Sequence, residues 1–195
     1  MPRINIEEGL KNGTITWFNK PINIKPNGES IQFTSLPDTD FWQNTHYGFC
    51  RNTGHCMFLK SSSNFTLQTH VTYKPLSQYD QAGLVVYFSP EKWAKTSVEG
   101  EIGEPYNLGS VITNNGYSDW ATQPYLKEVV DVEFKIERSG SDFMIFYRMF
   151  GDEKWIQIRM GHISLEKDAE MSIGLYSCTP KEGGFEATFH YLEIN

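Results

Sequence analysis

From residue 130 to 137 the chain reads Val130-Asp131-Val132-Glu133-Phe134-Lys135-Ile136-Glu137, with every even position apolar and every odd one charged. A period of two sends alternate side chains to opposite faces of an extended strand, so this stretch needs a core on one side and water on the other. Phe65, Leu67, Thr69, Val71 and Tyr73 make the same pattern against Thr66, Gln68, His70 and Thr72, and Phe185, Ala187, Phe189 and Tyr191 repeat it near the end. Turn-forming clusters punctuate these runs: Pro26-Asn27-Gly28, Asn52-Thr53-Gly54, Asn114-Asn115-Gly116, Ser139-Gly140-Ser141, Gly151-Asp152 and Lys181 to Gly184. No stretch of twelve or more residues sustains a 3.6 period, which restricts helices to single turns near residues 38–44, 76–79 or 89–93. The expected fold is all-β, a two-sheet jelly-roll sandwich forming a single domain over residues 14–195 behind an N-terminal tail of residues 1–13. A closed barrel is the alternative, and the lack of blade-length repeats argues against a propeller.

Charge and cysteine usage narrow the partners. Residues 1–97 carry 9 basic and 7 acidic side chains, residues 98–195 carry 8 and 17. An acidic second half repels phosphate backbones and anionic bilayers, so neither nucleic acid nor membrane is an expected partner. The first twenty residues hold no apolar signal core, and nowhere do 18 uncharged apolar residues run together, so a soluble cytoplasmic protein is expected. Cys50, Cys56 and Cys178 are odd in number and lack a C-x-x-C pair, which fits a reducing compartment and neither a disulfide framework nor a zinc site. The histidines are scattered and His55 reads as strand filler, so no metal and no cofactor are expected.

One region departs from simple alternation. If residues 93–101 form a strand, Trp93, Lys95, Ser97, Glu99 and Glu101 share one face while Ala94, Thr96, Val98 and Gly100 share the other. The small apolar set belongs to the core. The opposite row then carries an aromatic platform, a cation and two carboxylates at roughly 6–7 Å intervals, suited to stacking on a sugar ring and hydrogen-bonding its hydroxyls. A cross-strand ion pair beside an edge tryptophan is the plainer reading of that row. Gln81 opens a neighbouring strand and Gly83 permits close backbone approach. Asn114, Ser118, Asp119 and Trp120 crowd a later loop with hydrogen-bonding capacity, and Asp40, Phe41, Trp42, Tyr47 and Arg159 form a second polar and aromatic group. In a binding cleft Trp93 and Trp120 would face one another. Glu99 and Glu101, at i and i+2, are the one carboxylate pair that could serve a glycoside hydrolase. Chemistry based on a G-x-S-x-G elbow, a P-loop, a dinucleotide fingerprint or H-E-x-x-H has no motif here.

An ordered set of segments carries a resemblance: Thr16-Trp17-Phe18-Asn19-Lys20-Pro21, Thr39-Asp40-Phe41-Trp42, Tyr47-Gly48-Phe49, Asp80-Gln81-Ala82-Gly83, Trp93 and Lys95 with Glu99, Ser110-Val111 with Thr113-Asn114, Ser118-Asp119-Trp120, Ile158-Arg159, and Cys178-Thr179-Pro180 with Gly183-Gly184-Phe185. Together they resemble the regulation-of-enolase-like family of small cytosolic proteins, and the likeness spans residues 14–192. The resemblance implies a concanavalin A-like lectin/glucanase jelly roll and a link to carbohydrate metabolism. It supplies no set of functional residues. The stretch 100–106 departs from the family pattern in length and acidity. The leading expectation is a non-catalytic module that binds a carbohydrate or sugar-phosphate-like ligand on a concave sheet, with Lys95 and Arg159 meeting an anionic group. Two alternatives accompany it, a protein-interaction regulator of a glycolytic enzyme and an atypical glycoside hydrolase using Glu99 and Glu101.

Overall fold

The computed structural model describes residues 2–166 and 169–195. These form one short helix, α1 (Ile6–Asn12), and sixteen strands. The first eight strands are β1 (Thr16–Phe18), β2 (Ile22–Asn27), β3 (Ser30–Thr34), β4 (Phe41–Gln43), β5 (Cys50–Asn52), β6 (His55–Ser61), β7 (Phe65–Tyr73) and β8 (Gln81–Ser89). The remaining eight are β9 (Lys92–Glu99), β10 (Tyr106–Asn114), β11 (Tyr117–Tyr125), β12 (Val130–Ser139), β13 (Asp142–Met149), β14 (Ile156–His162), β15 (Met171–Cys178) and β16 (Glu186–Ile194). One sheet runs β1-β6-β15-β8-β9-β10-β11, the other β14-β13-β12-β7-β16-β3-β2, and β4 pairs with β5 in a separate hairpin. The expected two-sheet sandwich is therefore the fold.

Alternation explains the layering. Val130, Val132, Phe134 and Ile136 of β12 are fully buried and meet Leu84, Val86, Ala94 and Val98 from the facing sheet in one apolar core. The β10–β11 turn uses Asn115 and Gly116 at φ 52 and 79, the left-handed pair that matches the twist of a two-residue hairpin. Mid-strand Gly83 is required by close approach: a methyl group there would lie 2.0 Å from the Thr96 carbonyl oxygen.

Three expectations need correction. The segment read as a tail contains α1, capped by the Asn5 side chain accepting from the Glu8 amide and ended by left-handed Gly13 at φ 80. Its Ile6 is fully buried in the core. Seven residues are too few for a helical period to register, although the cap, the acidic first turn and the glycine stop were visible. Residues 38–44 hold strand β4 rather than a helical turn. Tyr191 does not continue the inward row of β16, because the register against β7 shifts between Phe189 and Tyr191. The bulge turns Leu192 into the core and sends the Tyr191 hydroxyl outward to donate to Glu133 at 2.5 Å. Glu133, buried on that outer face, also accepts from Arg148 at 2.5 and 3.1 Å.

Candidate functional site

Strand β9 has the expected two faces. Ala94 and Val98 enter the sandwich core, and Trp93, Lys95 and Glu99 point outward. That outer face is not bare. The β4–β5 hairpin docks over part of it and seals a second apolar core, in which Phe41 and Trp42 meet Cys56, Phe58, Val85, Trp93, Val111, Tyr176 and Cys178. The Phe41 ring lies 5.8 Å from the Trp93 ring. Two polar pins fix the hairpin to the β10–β11 turn: the Gln43 amide donates to Ser118 Oγ at 2.9 Å, and Asn44 Nδ2 donates to the Gly116 carbonyl at 2.8 Å. The part of the sheet that the hairpin leaves open is a cavity of about 400 Å³.

Gln81, Lys95, Glu99, Val111 and Trp120 from the sheet, Asp40, Trp42, Tyr47, Phe49 and Arg51 from the hairpin region, and Asp38, Tyr79, Pro180 and Lys181 from adjoining loops line it. Gln81 and Glu99 are register partners across β8 and β9. Gln81 Nε2 donates to Glu99 Oε2 at 3.0 Å, and Lys95 Nζ donates to Gln81 Oε1 at 2.6 Å. The Tyr176 hydroxyl donates to the same Oε1 at 3.3 Å. Lys95 Nζ also stands 3.7 Å from Asp40 Oδ1, so one carboxyl group faces the buried ammonium directly and the other reaches it through the Gln81 amide. Burial raises the Glu99 carboxyl to about 8; Lys95 opposes the rise, while Asp40 and Glu101 add to it. Glu99 is a proton donor at neutral pH on that footing.

The walls are aromatic. Trp42 Nε1 donates to the Thr45 carbonyl at 2.9 Å, its ring meets Tyr47 edge-on at 5.4 Å, and Tyr47 stacks on Phe49 at 5.9 Å. Tyr47 and Phe49 are 56% and 40% exposed, more apolar surface than a loop needs unless something covers it. Tyr79 and Asp38 hold left-handed backbone at φ 71 and 59, a conformation that costs about 1–2 kcal/mol for such residues. Asp80 secures the Tyr79 loop by accepting from the Leu76 and Ser77 amides at 2.8 Å each.

Seven of the residues singled out in the sequence thus meet in one cavity: Asp40, Gln81, Lys95, Glu99, Trp120, Trp42 and Tyr47. Five do not. Trp93 is fully buried beneath Phe41 and is no platform. Ser118 is spent on Gln43 and on Thr113 Oγ1 at 2.7 Å, and Asn114 Nδ2 donates to the His162 carbonyl at 3.4 Å. Asp119 and Arg159 form a 2.8 Å ion pair between β11 and β14, two edge strands of opposite sheets. Glu101 is also outside. The β9 strand stops at Glu99, the Gly100 amide turns to the Asp80 carbonyl, and the Glu101 carboxylate accepts from Gln78 and Asn107. The Glu99 and Glu101 pair therefore shares no cavity, and the second carboxylate there is Asp40. Phe49, Arg51, Tyr79 and Lys181 were not singled out; Phe49, two residues after Tyr47 in one aromatic cluster, is the one with a sequence signal.

His55, Cys56 and Cys178 are structural. His55 Nε2 accepts from the Leu36 amide at 2.9 Å while Nδ1 faces the Asn19 carbonyl. Burial pushes the Cys56 and Cys178 thiols well up, the wrong direction for nucleophiles. Among the described residues no three His, Cys, Asp or Glu side chains gather as metal ligands, and no helix is long and apolar enough to cross a membrane.

Residues 17–195 match a family described as "Protein of unknown function (DUF1349)". Regulation of enolase protein 1 of Saccharomyces cerevisiae is 31% identical over 175 residues, covering 89% of this chain and 85% of that protein. A crystal structure of a functionally unknown Saccharomyces cerevisiae protein superposes with a TM-score of 0.86 at 30% identity, over 94% of this chain and 96% of that one. A variant of the GH43 protein BlXynB from Bacillus licheniformis gives a TM-score of 0.72 over 93% of this chain and 36% of its own. At 12% identity the last likeness is one of fold.

Proposed function

The chain belongs to the DUF1349 family, and for this member we propose a cytoplasmic, non-catalytic binding module that holds a small polyhydroxylated ligand in the cavity between the β4–β5 hairpin and the outer face of β8–β11. The observation that carries this reading is the pairing of aromatic walls, Trp42, Tyr47 and Trp120, with a polar floor in which Gln81, Lys95 and Glu99 are already oriented by one another. A ring seated there stacks on the walls and hydrogen-bonds the floor, the combination by which apolar pockets with a few placed polar groups recognise small molecules. Fold likeness to proteins that act on carbohydrates supports the ligand class only by analogy. Trp120→Ala is expected to weaken binding about 5- to 10-fold, the loss of one aromatic contact, with the fold retained. A glycan array followed by calorimetry measures it. If no sugar or sugar derivative binds more tightly than about 10 mM, the reading fails.

A second reading is favoured by the name of the yeast relative: a regulator that docks on a metabolic enzyme. Its steering surface would be the acidic turn with half-buried Glu101 and exposed Glu104, whose like charges draw a basic partner. Under this reading, reversing both to lysine removes a glycolytic enzyme that co-purifies at low salt. Retention of every co-purifying protein after the reversal ends it.

A further inference from the structure

The cavity's charges are not distributed evenly from floor to mouth. On the floor, the charge of Lys95 is committed: its Nζ donates to Gln81 Oε1 at 2.6 Å and lies 3.7 Å from Asp40 Oδ1, with Glu99 joined to the same glutamine at 3.0 Å. A phosphate that reached Lys95 would sit against Asp40 and Glu99. Arg159, the other cation that the sequence offered for an anion, is held by Asp119 away from the cavity. What the floor offers is hydroxyl chemistry at its carboxyl groups: Gln81 spends its amide hydrogens on the Tyr79 carbonyl and Glu99 and its oxygen on Lys95 and Tyr176, which leaves the Asp40 and Glu99 oxygens to meet an alcohol.

The mouth differs. Arg51 on β5 and Lys181 after β15 both line the cavity and are exposed. Among the described residues neither has a carboxylate within ion-pair distance; Lys181 stands 6.0 Å from the centre of the Tyr79 ring, and the Arg51 carbonyl accepts from Gln43 Nε2 at 3.4 Å. Asp38 is the acid at this end, so two unneutralised cations face one carboxylate. The Arg51 guanidinium is a planar fork suited to carboxylate or phosphate oxygens, and the Lys181 ammonium is a mobile point charge.

We propose that the cavity takes its ligand in one orientation, with a neutral polyhydroxylated end on the Gln81–Glu99 floor and an anionic group, a phosphate monoester or a carboxylate, at the mouth between Arg51 and Lys181. This rests on the carbohydrate reading above and refines it, because it assigns the anion to two residues other than Lys95 and Arg159. It also explains why an acidic chain keeps uncompensated positive charge at one opening.

Calorimetry with glucose, glucose 1-phosphate, glucose 6-phosphate and glucuronate, extended to the matching mannose, galactose and xylose compounds, tests it in the wild type, in Arg51→Gln/Lys181→Gln and in Glu99→Ala. At low salt at least one anionic derivative is expected to bind about tenfold more tightly than its parent sugar, and the gain should shrink as salt screens exposed charges. The phosphate and glucuronate arms show which anion is preferred. Arg51→Gln/Lys181→Gln should erase the gain and leave the parent sugar's affinity within twofold. Glu99→Ala should weaken parent and derivative alike and preserve the ratio. A gain that survives the double substitution, or a parent sugar that binds as well as every derivative, overturns the orientation while leaving the carbohydrate reading in place. Absence of binding by all probes, with folded protein verified by circular dichroism, overturns both.

Discussion

Trp93→Ala should lower the free energy of unfolding by about 3–5 kcal/mol, the range for deleting a large buried aromatic. Trp93 is fully buried and does not itself line the cavity. Its Nε1 donates to the Pro90 carbonyl at 3.1 Å, Phe41 packs on it at 5.8 Å, and the Lys95 ammonium lies 5.8 Å from its ring. Removing the indole leaves a void under the hairpin and an unsupported Phe41, so the second core loses its centre. For a domain whose total stability is on the order of 5–15 kcal/mol, that loss is large. Urea denaturation measures it, and Trp93→Phe is the companion: it should cost about 1–2 kcal/mol and hold ligand affinity within twofold. A variant of unchanged stability that has lost ligand binding would return Trp93 to the ligand surface.

Glu99 governs the second large effect. Its carboxyl titrates near 8 in the folded protein against 4.5 in a solvated chain. A raised value means that the folded state holds its proton where the unfolded state has released it. This contribution is fully present below about pH 4.5, declines as pH rises, and is lost once pH passes 8. The full shift corresponds to about 5 kcal/mol, and contact with solvent in the cavity reduces the expected fall to about 2–3 kcal/mol. Glu99→Gln has no proton to lose. Its stability should stay level across this window, matching wild type within about 1 kcal/mol near pH 5 and exceeding it by about 2–3 kcal/mol near pH 8.5. Chemical denaturation at a series of pH values checks both curves. Parallel curves for the two proteins would show that Glu99 ionises normally.

The strands were legible because each carries its own periodic signal. Val130 to Glu137 announces a two-faced strand from eight residues, and the outward row of β9 followed from the size difference between Ala94 and Trp93. What covers an outward row is a different kind of fact. Phe41 and Trp93 are 52 positions apart, and nothing local to either says that one caps the other. The same holds for Asp40 replacing Glu101 as the second carboxylate: strand β9 ends because the Gly100 amide finds the Asp80 carbonyl at 2.9 Å, a partner on another segment. The Tyr191 error is of a third kind. Strict alternation assumes one residue per register position, and the bulge between Phe189 and Tyr191 adds one.

The β4–β5 hairpin closes the second core with Phe41 and walls the cavity with Trp42 and Tyr47. An open hairpin consequently has no binding site, and any occupant of the cavity touches both partners of the docked state. Docking and occupancy are then linked equilibria: apparent affinity equals intrinsic affinity multiplied by the fraction of molecules with the hairpin closed, and an occupant slows hydrogen exchange along the hairpin by a factor that grows with ligand concentration relative to its dissociation constant. The Gln43–Ser118 and Asn44–Gly116 pins set that fraction without touching the ligand, which makes the β10–β11 turn a remote control on affinity.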